Sequence, residues 1–333
     1  MRGEGRESLP KPFSLGLTLL CGQCFRWQGP DTEGWFEGTA GGALWRLRQQ
    51  DGQLQWLCSA EKVRDETAAR WIFRYLGLDE NISGWEKDYA LHPVLEIPLQ
   101  TLRGLRLLRQ EPWECLVSYM FAQGLSVQVI RGALRKFCER YGEAIEGAPG
   151  FYAFPSASRL AGLSAEELKP FTNNYYARAD RVIRAARVME AGVLSLDHLK
   201  TLPCDEARAA LMGLDGIGPK IADCILLFSL DQAAAFPVDR WVLRAMKRHF
   251  RSVKLLGAGA EAPTAAQYPK IVAQARRHLG ERCGLASEYL FLFLRLLEDP
   301  KLRGELEPFL SWPLPEILPS PSGRRKTRPS RKP

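Results

Sequence analysis

The chain has 333 residues, of which 46% are hydrophobic, as expected for a globular protein with one large core or two moderate ones. Lys and Arg number 46 against 38 Asp and Glu, which gives a net charge of +8. Six of the positive charges lie between Arg324 and Lys332, so the rest of the chain is close to neutral and a diffuse basic surface is not predicted.

Several classes of protein are excluded at this level. No apolar run approaches the roughly 18 residues of a membrane span, and residues 1–13 lack the apolar core of a signal peptide, so we expect an intracellular protein without a membrane partner. Eight scattered cysteines are too few for a disulfide scaffold and are expected to be mostly buried thiols. The four histidines have no metal-ligand spacing, and Cys21 and Cys24 lack a second cysteine pair, so no metal site is predicted.

The first part of the chain has the alternating pattern of β-strands, from residue 13 to residue 58. Asp51 and Gly52 predict a hairpin turn between the last two strands. The predicted strands include residues 25–27, 34–38, 44–47 and 54–57.

Helical patterns follow. After residue 59 the hydrophobic period changes from two toward 3.6, with residues 63, 71, 72 and 75 on one helix face, and helices are predicted as far as Glu298. Ser126 is expected to cap one helix, and Ser164 begins a capping box. The predicted class is α+β, with an N-terminal antiparallel sheet domain (1–100), a mainly α-helical body (101–312) and a disordered Pro-rich basic tail (313–333). The tail is equally compatible with a targeting extension and with a DNA contact.

Gly216 and Gly218 bracket Ile217 in a tight turn between a helix that ends near Leu211 and a helix that begins at Pro219. This arrangement predicts a helix-hairpin-helix, in which Ile217 enters the core. Glycine allows the backbone to approach a ligand closely, and free N–H groups at a helix start bind phosphate. The pattern alone is also typical of an ordinary helix connection.

Lys220 lies at the start of the second helix, which is nearly apolar on every side, and Asp239 follows nineteen positions later in Pro237-Val238-Asp239. A lysine is nucleophilic only when neutral, and desolvation at a helix N-terminus favours that form. Asp239 stands at a helix N-cap position, which is an ordinary structural role and is also compatible with catalysis because a capping carboxylate is held rigidly.

Together, Gly-Ile-Gly-Pro-Lys and Pro-Val-Asp at this spacing resemble the helix-hairpin-helix (HhH-GPD) DNA glycosylases. Residues 21–27, 111–116 and 220–224 resemble the 8-oxoguanine DNA glycosylase branch, and the resemblance extends from Phe13 to Arg295. It implies a bifunctional glycosylase and AP lyase that removes 8-oxoguanine from duplex DNA. Lys220 would attack the sugar and form a Schiff base, followed by β-elimination, while Asp239 stabilises the developing charge.

The resemblance also assigns recognition residues. The Gly22 carbonyl would accept the N7–H that distinguishes 8-oxoguanine from guanine, and Cys224 and Phe291 would enclose the flipped base, although both are also typical core residues. Ser287 stands where the family has a glutamine that reads the pairing edge of the base. Gly216, Ile217 and Gly218 would contact phosphate.

Further DNA contacts are expected from three residues near residue 175 and from Trp241. Tyr175 is the candidate wedge that would fill the gap left by the flipped base, and Tyr176 and Arg178 follow it. The alternative is that the two tyrosines only flank a junction between a loop and a helix. Trp241 replaces a phosphate-contacting histidine. The residues that contact the opposite cytosine are replaced by Val129 and Tyr176, and residues 124–126 replace an asparagine run, so strict preference for cytosine is not expected.

Two related branches of the superfamily do not match these residues. The iron-sulfur branch needs four clustered cysteines after the catalytic region, where only Cys283 is found, and the alkylated-base branch lacks the lysine. The remaining alternative is a non-catalytic helix-hairpin-helix DNA-binding module. The expected partner is double-stranded DNA with an oxidised purine, and we expect a monomer in the nucleoid or the nucleus. No cofactor is expected beyond a structural monovalent cation at the hairpin.

Overall fold

A computed structural model describes residues 1–249 and 262–315, without the side chains of residues 248 and 249. The predicted tail lies outside this part of the chain from residue 316 onward. In the described residues a sheet is followed by helices, so the α+β class is confirmed. The division of the chain at residues 100 and 312 stays a prediction.

The strands form a five-stranded antiparallel sheet of order β1-β5-β4-β3-β2 and a separate two-stranded ribbon, β6-β7. Their bounds are β1 Gly3–Ser8, β2 Trp27–Gln28, β3 Phe36–Ala40, β4 Ala43–Gln50, β5 Gln53–Cys58, β6 Lys62–Val63 and β7 Glu66–Thr67.

Helices make up most of the remaining described chain. Their bounds are α1 Leu15–Leu20, α2 Ala68–Tyr75, α3 Ser83–Tyr89, α4 Glu96–Thr101, α5 Pro112–Phe121, α6 Val127–Tyr141, α7 Ala157–Ala161, α8 Ala165–Leu168, α9 Tyr176–Glu190, α10 Leu196–Leu199, α11 Cys204–Met212, α12 Pro219–Ser229, α13 Arg240–His249, α14 Tyr268–Leu279, α15 Cys283–Glu298 and α16 Pro300–Leu306, with 3-10 turns at Lys169–Phe171 and Glu307–Phe309.

The predicted hairpin turn and the two predicted helix caps are present in the structure. Asp51 and Gly52, with φ of 52° and 74°, form the two-residue turn between β4 and β5, as predicted. Ser126 caps α6 through the Val129 N–H, and Ser164 forms the expected capping box with Glu167.

The strand prediction for residues 13–58 was wrong in two places. Leu15–Leu20 is a helix, capped by Ser14 and buried on every side, so its sequence shows no helical period. Of residues 25–27 only Trp27 lies in a strand. The edge strand β1 was missed because its polar sequence carries no apolar alternation, and its pairing with β5 is supplied by the backbone.

The helix predicted after residue 59 begins later than expected. Val63 lies in the ribbon strand β6, and the helix itself starts at Ala68 after the Thr67 cap. Trp71, Ile72 and Tyr75 do form its buried face, as predicted.

Two hydrophobic clusters position the functional residues. The first joins the sheet and α1–α4 with α13–α16, so the last helices return to pack with the first part of the chain. The second contains α5–α12 together with Phe25. A cavity lies where the two clusters meet, and it is lined from both sides.

Candidate active site

The cavity between the clusters encloses about 160 Å³. It brings together six residues singled out in the sequence, which come from four different segments of the chain. These residues are Gly22, Lys220, Cys224, Asp239, Ser287 and Phe291. The remaining lining includes Phe25, Tyr119, Phe228, Pro237 and Glu288.

The helix-hairpin-helix is present as predicted. Helix α11 ends at Met212 and α12 begins at Pro219. Gly216 has a φ of +85°, and an added Cβ would lie 2.6 Å from the Arg181 side chain, so glycine is required here. Ile217 is buried in the second cluster.

Helix α12 presents an open N-terminus. Its N-cap, Gly218, offers no side-chain cap, and an added Cβ at Gly218 would meet nothing within 4 Å. The first N–H groups of a helix carry partial positive charge and have no partner within the helix. The hairpin therefore exposes donors on a surface that a phosphate group can approach closely.

Lys220 is partly exposed at the cavity, in the first turn of α12, with its Nζ 5.6 Å from the centre of the Tyr119 ring. The pKa of Lys220 is raised, and the neighbouring Cys224 is the largest cause. Burial is the next largest effect and lowers the pKa, whereas Asp239 and Glu288 raise it further. Burial keeps the Cys224 thiol protonated by raising its pKa to about 12, so carboxylates are the charged neighbours at neutral pH.

The direction of the Lys220 pKa corrects one expectation. A helix N-terminus and an apolar wall were expected to favour the neutral amine, but Cys224 and, after it, Asp239 outweigh burial, so the pKa of Lys220 is raised and the ammonium is favoured. In the absence of a ligand Lys220 is therefore charged. A nucleophilic role requires that it lose a proton after the cavity is filled.

Asp239 caps α13 as predicted. Its Oδ1 accepts hydrogen bonds from the backbone N–H of Trp241 at 2.9 Å and of Val242 at 2.8 Å. Burial raises the pKa of Asp239, and the two N–H groups and Lys220 oppose this shift. The carboxyl is thus fixed by one oxygen while the residue lines the cavity.

A buried network that the sequence did not suggest holds the Asp239 segment against α12. Asp223, with no exposed surface, forms an ion pair with Arg208 at 2.6 Å and accepts a 2.7 Å hydrogen bond from the Tyr268 hydroxyl. The same hydroxyl accepts the Val238 N–H at 3.2 Å. Asp223 lies one turn beyond Lys220, so the network connects the backbone of the two predicted catalytic residues.

Gly22 approaches the cavity from the turn after α1, whereas Cys224 lies on α12 and Phe291 on α15. Gly22 has a φ of +108°, and an added Cβ would lie 3.2 Å from Arg295 Nη1 and 3.9 Å from the Phe291 ring. Arg295 also lies over that ring, at 5.3 Å from its centre. A side chain at position 22 would be strained and would crowd the cavity wall.

Ser287 lines the cavity, but its hydroxyl donates a 2.7 Å hydrogen bond to the Gly284 carbonyl of its own helix. The next residue, Glu288, was not predicted, although it is buried and lines the same cavity. A single acid within the apolar run of α15 is the signal that could have identified it.

The predicted wedge lies on the surface. Tyr175 and Tyr176 are 52% and 50% exposed at the start of α9, after Asn173 and Asn174, which both have positive φ. Two large exposed aromatic side chains are available for contact with a partner. Their insertion into DNA stays a prediction.

Arg178 acts within the protein. Its guanidinium donates to the Gln123 carbonyl at 2.5 Å and to the Phe121 carbonyl at 3.4 Å. The Gln123 side chain in turn donates to the Gly216 carbonyl at 3.0 Å. The loop after α5 is thereby tied to the start of α9 and to the hairpin.

Trp241 lies next to Asp239 in the first turn of α13. The guanidinium groups of Arg240 and Arg244 lie 4.8 and 5.1 Å from the centre of its ring. This cationic and aromatic cluster lies on the helix that Asp239 caps, and such a surface favours contact with a polyanion.

The cysteines, the possible metal ligands and the length of the helices bear on three of the sequence-based expectations. All eight cysteines are free thiols, and seven of them are buried, as expected. Within the described part of the chain no three His, Cys, Asp or Glu residues are grouped to hold a metal ion. None of the described helices combines the length and the apolar character needed to span a membrane.

Comparison with known families places both parts of the chain. Residues 8–116 match the N-terminal domain of 8-oxoguanine DNA glycosylase, and residues 117–255 match the HhH-GPD superfamily of base excision DNA repair proteins. The two matches meet inside α5.

Curated relatives agree with these matches. The N-glycosylase/DNA lyase OGG1 of Arabidopsis thaliana is 32% identical over 238 residues, which are 69% of this chain and 64% of the plant protein. The N-glycosylase/DNA lyase of Saccharomyces cerevisiae is 24% identical over 71% of this chain and 68% of the yeast protein. The chain thus matches a little under two thirds of the plant protein's length.

A solved structure extends the agreement to three dimensions. The 8-oxoguanine glycosylase/lyase of Clostridium acetobutylicum, in complex with double-stranded DNA containing cytosine opposite 8-oxoguanine, superposes with a TM-score of 0.75 at 26% identity. The superposition covers 88% of this chain and 97% of the bacterial one. The chain therefore belongs to the 8-oxoguanine DNA glycosylase branch of the HhH-GPD superfamily.

Proposed function

We propose that this protein is a base excision repair glycosylase and AP lyase that removes 8-oxoguanine from duplex DNA. The observation that carries the proposal is the presence of Lys220 and Asp239 in one cavity, with Gly22, Cys224 and Phe291 in its lining. A non-catalytic DNA-binding module needs the hairpin but has no use for an amine and a carboxyl at a shared cavity.

Lys220 is the proposed nucleophile. A damaged base turned out of the helix would occupy the cavity and bring its sugar to the rim. The ammonium transfers a proton to a carboxylate or to water, and the amine attacks C1′ as the bond from C1′ to the base breaks. The base takes up a proton as it leaves, and the C1′–O4′ bond of the resulting aminal then breaks, with O4′ protonated, to give the Schiff base. Removal of a proton from C2′ permits loss of the 3′ phosphate by β-elimination.

Asp239 is the proposed electrostatic partner. As the base departs, positive charge develops on the sugar, and a fixed carboxylate at that point lowers the barrier. Its two backbone hydrogen bonds hold the carboxyl in place before the substrate arrives. The same carboxyl accepts and returns protons during Schiff-base formation.

Base recognition is assigned to Gly22, Cys224 and Phe291. The backbone carbonyl of Gly22 accepts the N7–H of 8-oxoguanine, whereas guanine would present a lone pair and leave an unmet acceptor at a cost of about 1 to 3 kcal/mol. Cys224 and Phe291 enclose the ring between a thiol and an aromatic face. Ser287, the fourth proposed base contact, lies beside them.

The hairpin and two surface regions are proposed to hold the DNA. Gly216, Ile217 and Gly218 supply the turn whose N–H groups face phosphate, and Trp241 adds a contact beside Asp239. Tyr175 and Tyr176 fill the vacated position in the stack, with Arg178 fixing the loop beside them.

Choice of the opposite base is proposed to be relaxed. Val129 is 47% exposed and lies in the first turn of α6, and Gly124 is exposed in the preceding loop. Neither residue offers a side-chain hydrogen bond to a cytosine.

The proposed chemistry uses no cofactor. The Leu214 and Gly216 carbonyls at the hairpin each accept one hydrogen bond, and the second lone pair of each could serve a structural monovalent cation. We further propose that the protein acts as a monomer, and in the nucleoid or nucleus, where its substrate is found.

Single-turnover reactions test the proposal. Duplexes with one 8-oxoguanine opposite each of the four bases are incubated with the protein, and base release and strand cleavage are measured separately. We expect release from more than the cytosine pair, with cleavage following. DNA binding without release from any duplex would contradict the enzyme and favour the DNA-binding module.

A further inference from the structure

Helix α9 carries four arginines at intervals of three residues. They are Arg178, Arg181, Arg184 and Arg187. The first and the last are bound to backbone carbonyl groups, since Arg178 donates to Gln123 at 2.5 Å and Arg187 to Ala161 at 3.2 Å. Arg181 and Arg184 pair instead with exposed carboxylates, and the proposed chemistry does not use them.

The acid that holds both arginines belongs to the hairpin. Asp215 directly precedes Gly216, and its Oδ2 accepts a hydrogen bond from Arg184 Nη2, while Arg181 Nε lies 3.5 Å from Oδ1. The Arg181 side chain also lies over Gly216, where an added Cβ would be 2.6 Å from its Cδ. Two guanidinium groups therefore lie beside the turn whose N–H groups are proposed to face phosphate.

The charges of this cluster cancel. Arg184 Nε also pairs with Asp180 Oδ2 at 3.0 Å, so two arginines are matched by two acids. The hydrogen bond from Arg184 is the largest cause that lowers the pKa of Asp215, so this carboxyl is ionised at neutral pH. With its acids in place the cluster offers no net attraction to a polyanion, and Asp215 itself would repel a phosphate at the neighbouring glycines.

The pairs are of a kind that is easily exchanged. The side chains of Arg181, Arg184 and Asp215 are 32%, 50% and 49% exposed, and ion pairs between exposed side chains contribute little to stability. A guanidinium can bind a phosphate through two parallel charge-assisted hydrogen bonds. A phosphate at the hairpin can therefore replace the carboxylate as the partner of these arginines.

We propose that Arg181 and Arg184 form a second phosphate contact for duplex DNA beside the hairpin, and that Asp215 is an internal competitor that holds them until DNA takes its place. This inference rests on the proposed function, because it concerns the DNA surface next to the same site. A competitor of this kind lowers the affinity for every duplex, damaged or not. It thereby favours release of the protein from undamaged DNA.

The test measures binding to an undamaged duplex, so that it is independent of excision. Fluorescence anisotropy gives the affinity over a series of salt concentrations. Arg181→Gln combined with Arg184→Gln should bind about tenfold or more weakly. Its plot of log affinity against log salt should be less steep by about one to two, since each lost phosphate contact removes about one from the slope.

Asp215→Asn keeps the shape of the side chain and removes its charge. It should bind about threefold or more tightly than the wild type at low salt, because the exposed ion pairs no longer compete. This gain should be at least about twofold larger with the two arginines present than with both replaced by glutamine, because only then does loss of the carboxylate release them.

Glu146→Gln is the matched control for the change in net charge. It removes one exposed acid from the loop after α6 and releases Arg2, which precedes β1. Its affinity should stay within about 1.5-fold of the wild type, since salt screens charges that are distant from the DNA. Circular dichroism verifies that each variant is folded.

The possible failures are distinguishable. Wild-type affinity and salt slope in the double arginine variant would overturn the phosphate contact. Asp215→Asn binding no better than Glu146→Gln, or an equal gain with and without the arginines, would overturn the role of Asp215 as their competitor. Either result can occur in a chain that removes 8-oxoguanine, whereas absence of that removal by the wild type would contradict the proposed function.

Discussion

The Tyr268 hydroxyl donates a hydrogen bond of 2.7 Å to Asp223 Oδ2, deep below the cavity. Asp223 belongs to the helix of Lys220, and the same hydroxyl accepts the N–H of Val238, the residue before Asp239. One hydroxyl group therefore connects the helix that carries the amine with the segment that carries the carboxyl.

Removing this hydroxyl should lower both stability and activity. Tyr268→Phe leaves Asp223 Oδ2 and the Val238 N–H without this partner, so we expect a loss of about 1 to 3 kcal/mol in the free energy of unfolding. Excision should also slow, because Asp239 is no longer held at a fixed distance from Lys220. Urea unfolding and single-turnover excision measure the two effects.

Tyr141→Phe is the matched control for this prediction. The Tyr141 hydroxyl donates to the Glu167 carbonyl at 3.0 Å, away from the cavity. It should lose some stability with no change in excision rate. If Tyr268→Phe shows the same pattern as the control, the network supports the fold alone.

The two roles of Asp239 can be separated by substitution. Asparagine is as good an N-cap as aspartate, so Asp239→Asn should unfold within about 1 kcal/mol of the wild type, whereas Asp239→Ala should lose about 1 kcal/mol or more. Both variants lack the negative charge, and we expect excision to fall about a hundredfold or more in each. An active Asp239→Asn would show that the residue is only a cap.

Glu288 gives the stability of the protein a specific dependence on pH. Its pKa is about 7 in the folded protein against an ordinary value of 4.5, so the folded state holds this proton more tightly than the unfolded state. The stabilising effect of protonation is complete below pH 4.5 and is lost as the pH rises through 7. From pH 4.5 to pH 8 the wild type should lose on the order of 3 kcal/mol relative to Glu288→Gln.

Chemical unfolding of the two proteins at several pH values measures this difference. The subtraction removes the contributions of all groups that titrate alike in both proteins. A constant difference between pH 4.5 and 8 would mean that Glu288 is ionised throughout that range.

The two hairpin glycines should respond differently to alanine. Gly216→Ala places a side chain at a φ of +85° and against Arg181, so we expect a loss of about 1 to 2 kcal/mol in stability. Gly218→Ala meets no neighbour within 4 Å and should fold normally. Its methyl group would stand on the surface that a phosphate must approach, and DNA affinity should fall about tenfold.

Fluorescence anisotropy with undamaged duplex, at two salt concentrations, measures that affinity. Binding should weaken steeply as salt increases, since phosphate contacts release counterions. A Gly218→Ala protein that binds DNA as well as the wild type would place the phosphate elsewhere.

Much of the site was predictable because its residues lie in local motifs. The two glycines, Pro219 and the N-cap position of Asp239 are recognised from neighbouring residues alone. The sequence could not reveal that Tyr268 joins Asp223 to Val238, since this contact connects residues 45 and 30 positions apart. The charge of Lys220 was misjudged because the effects of Cys224 and Asp239 on its pKa outweigh that of burial, and this balance depends on the folded geometry.

The errors in the predicted secondary structure occur where complete burial or backbone pairing, rather than a pattern of side chains, determines the element. Leu15–Leu20 is buried on all sides, so the alternation expected for a strand and the period expected for a helix are both absent. Strand Gly3–Ser8 is specified by its pairing with β5 and by the fit of Gly5 against Trp56 rather than by apolar residues of its own. Neither signal is contained in a local window of sequence.

Covalent trapping tests the central claim most directly. The protein is incubated with a duplex containing 8-oxoguanine in the presence of borohydride, which reduces a Schiff base to a stable bond between protein and DNA. Lys220→Gln is compared with Lys169→Gln, which removes a surface lysine near Glu166. We predict a trapped complex with the wild type and with Lys169→Gln, and none with Lys220→Gln. A complex that persists in Lys220→Gln, or base release by the wild type without any complex, would contradict Lys220 as the nucleophile.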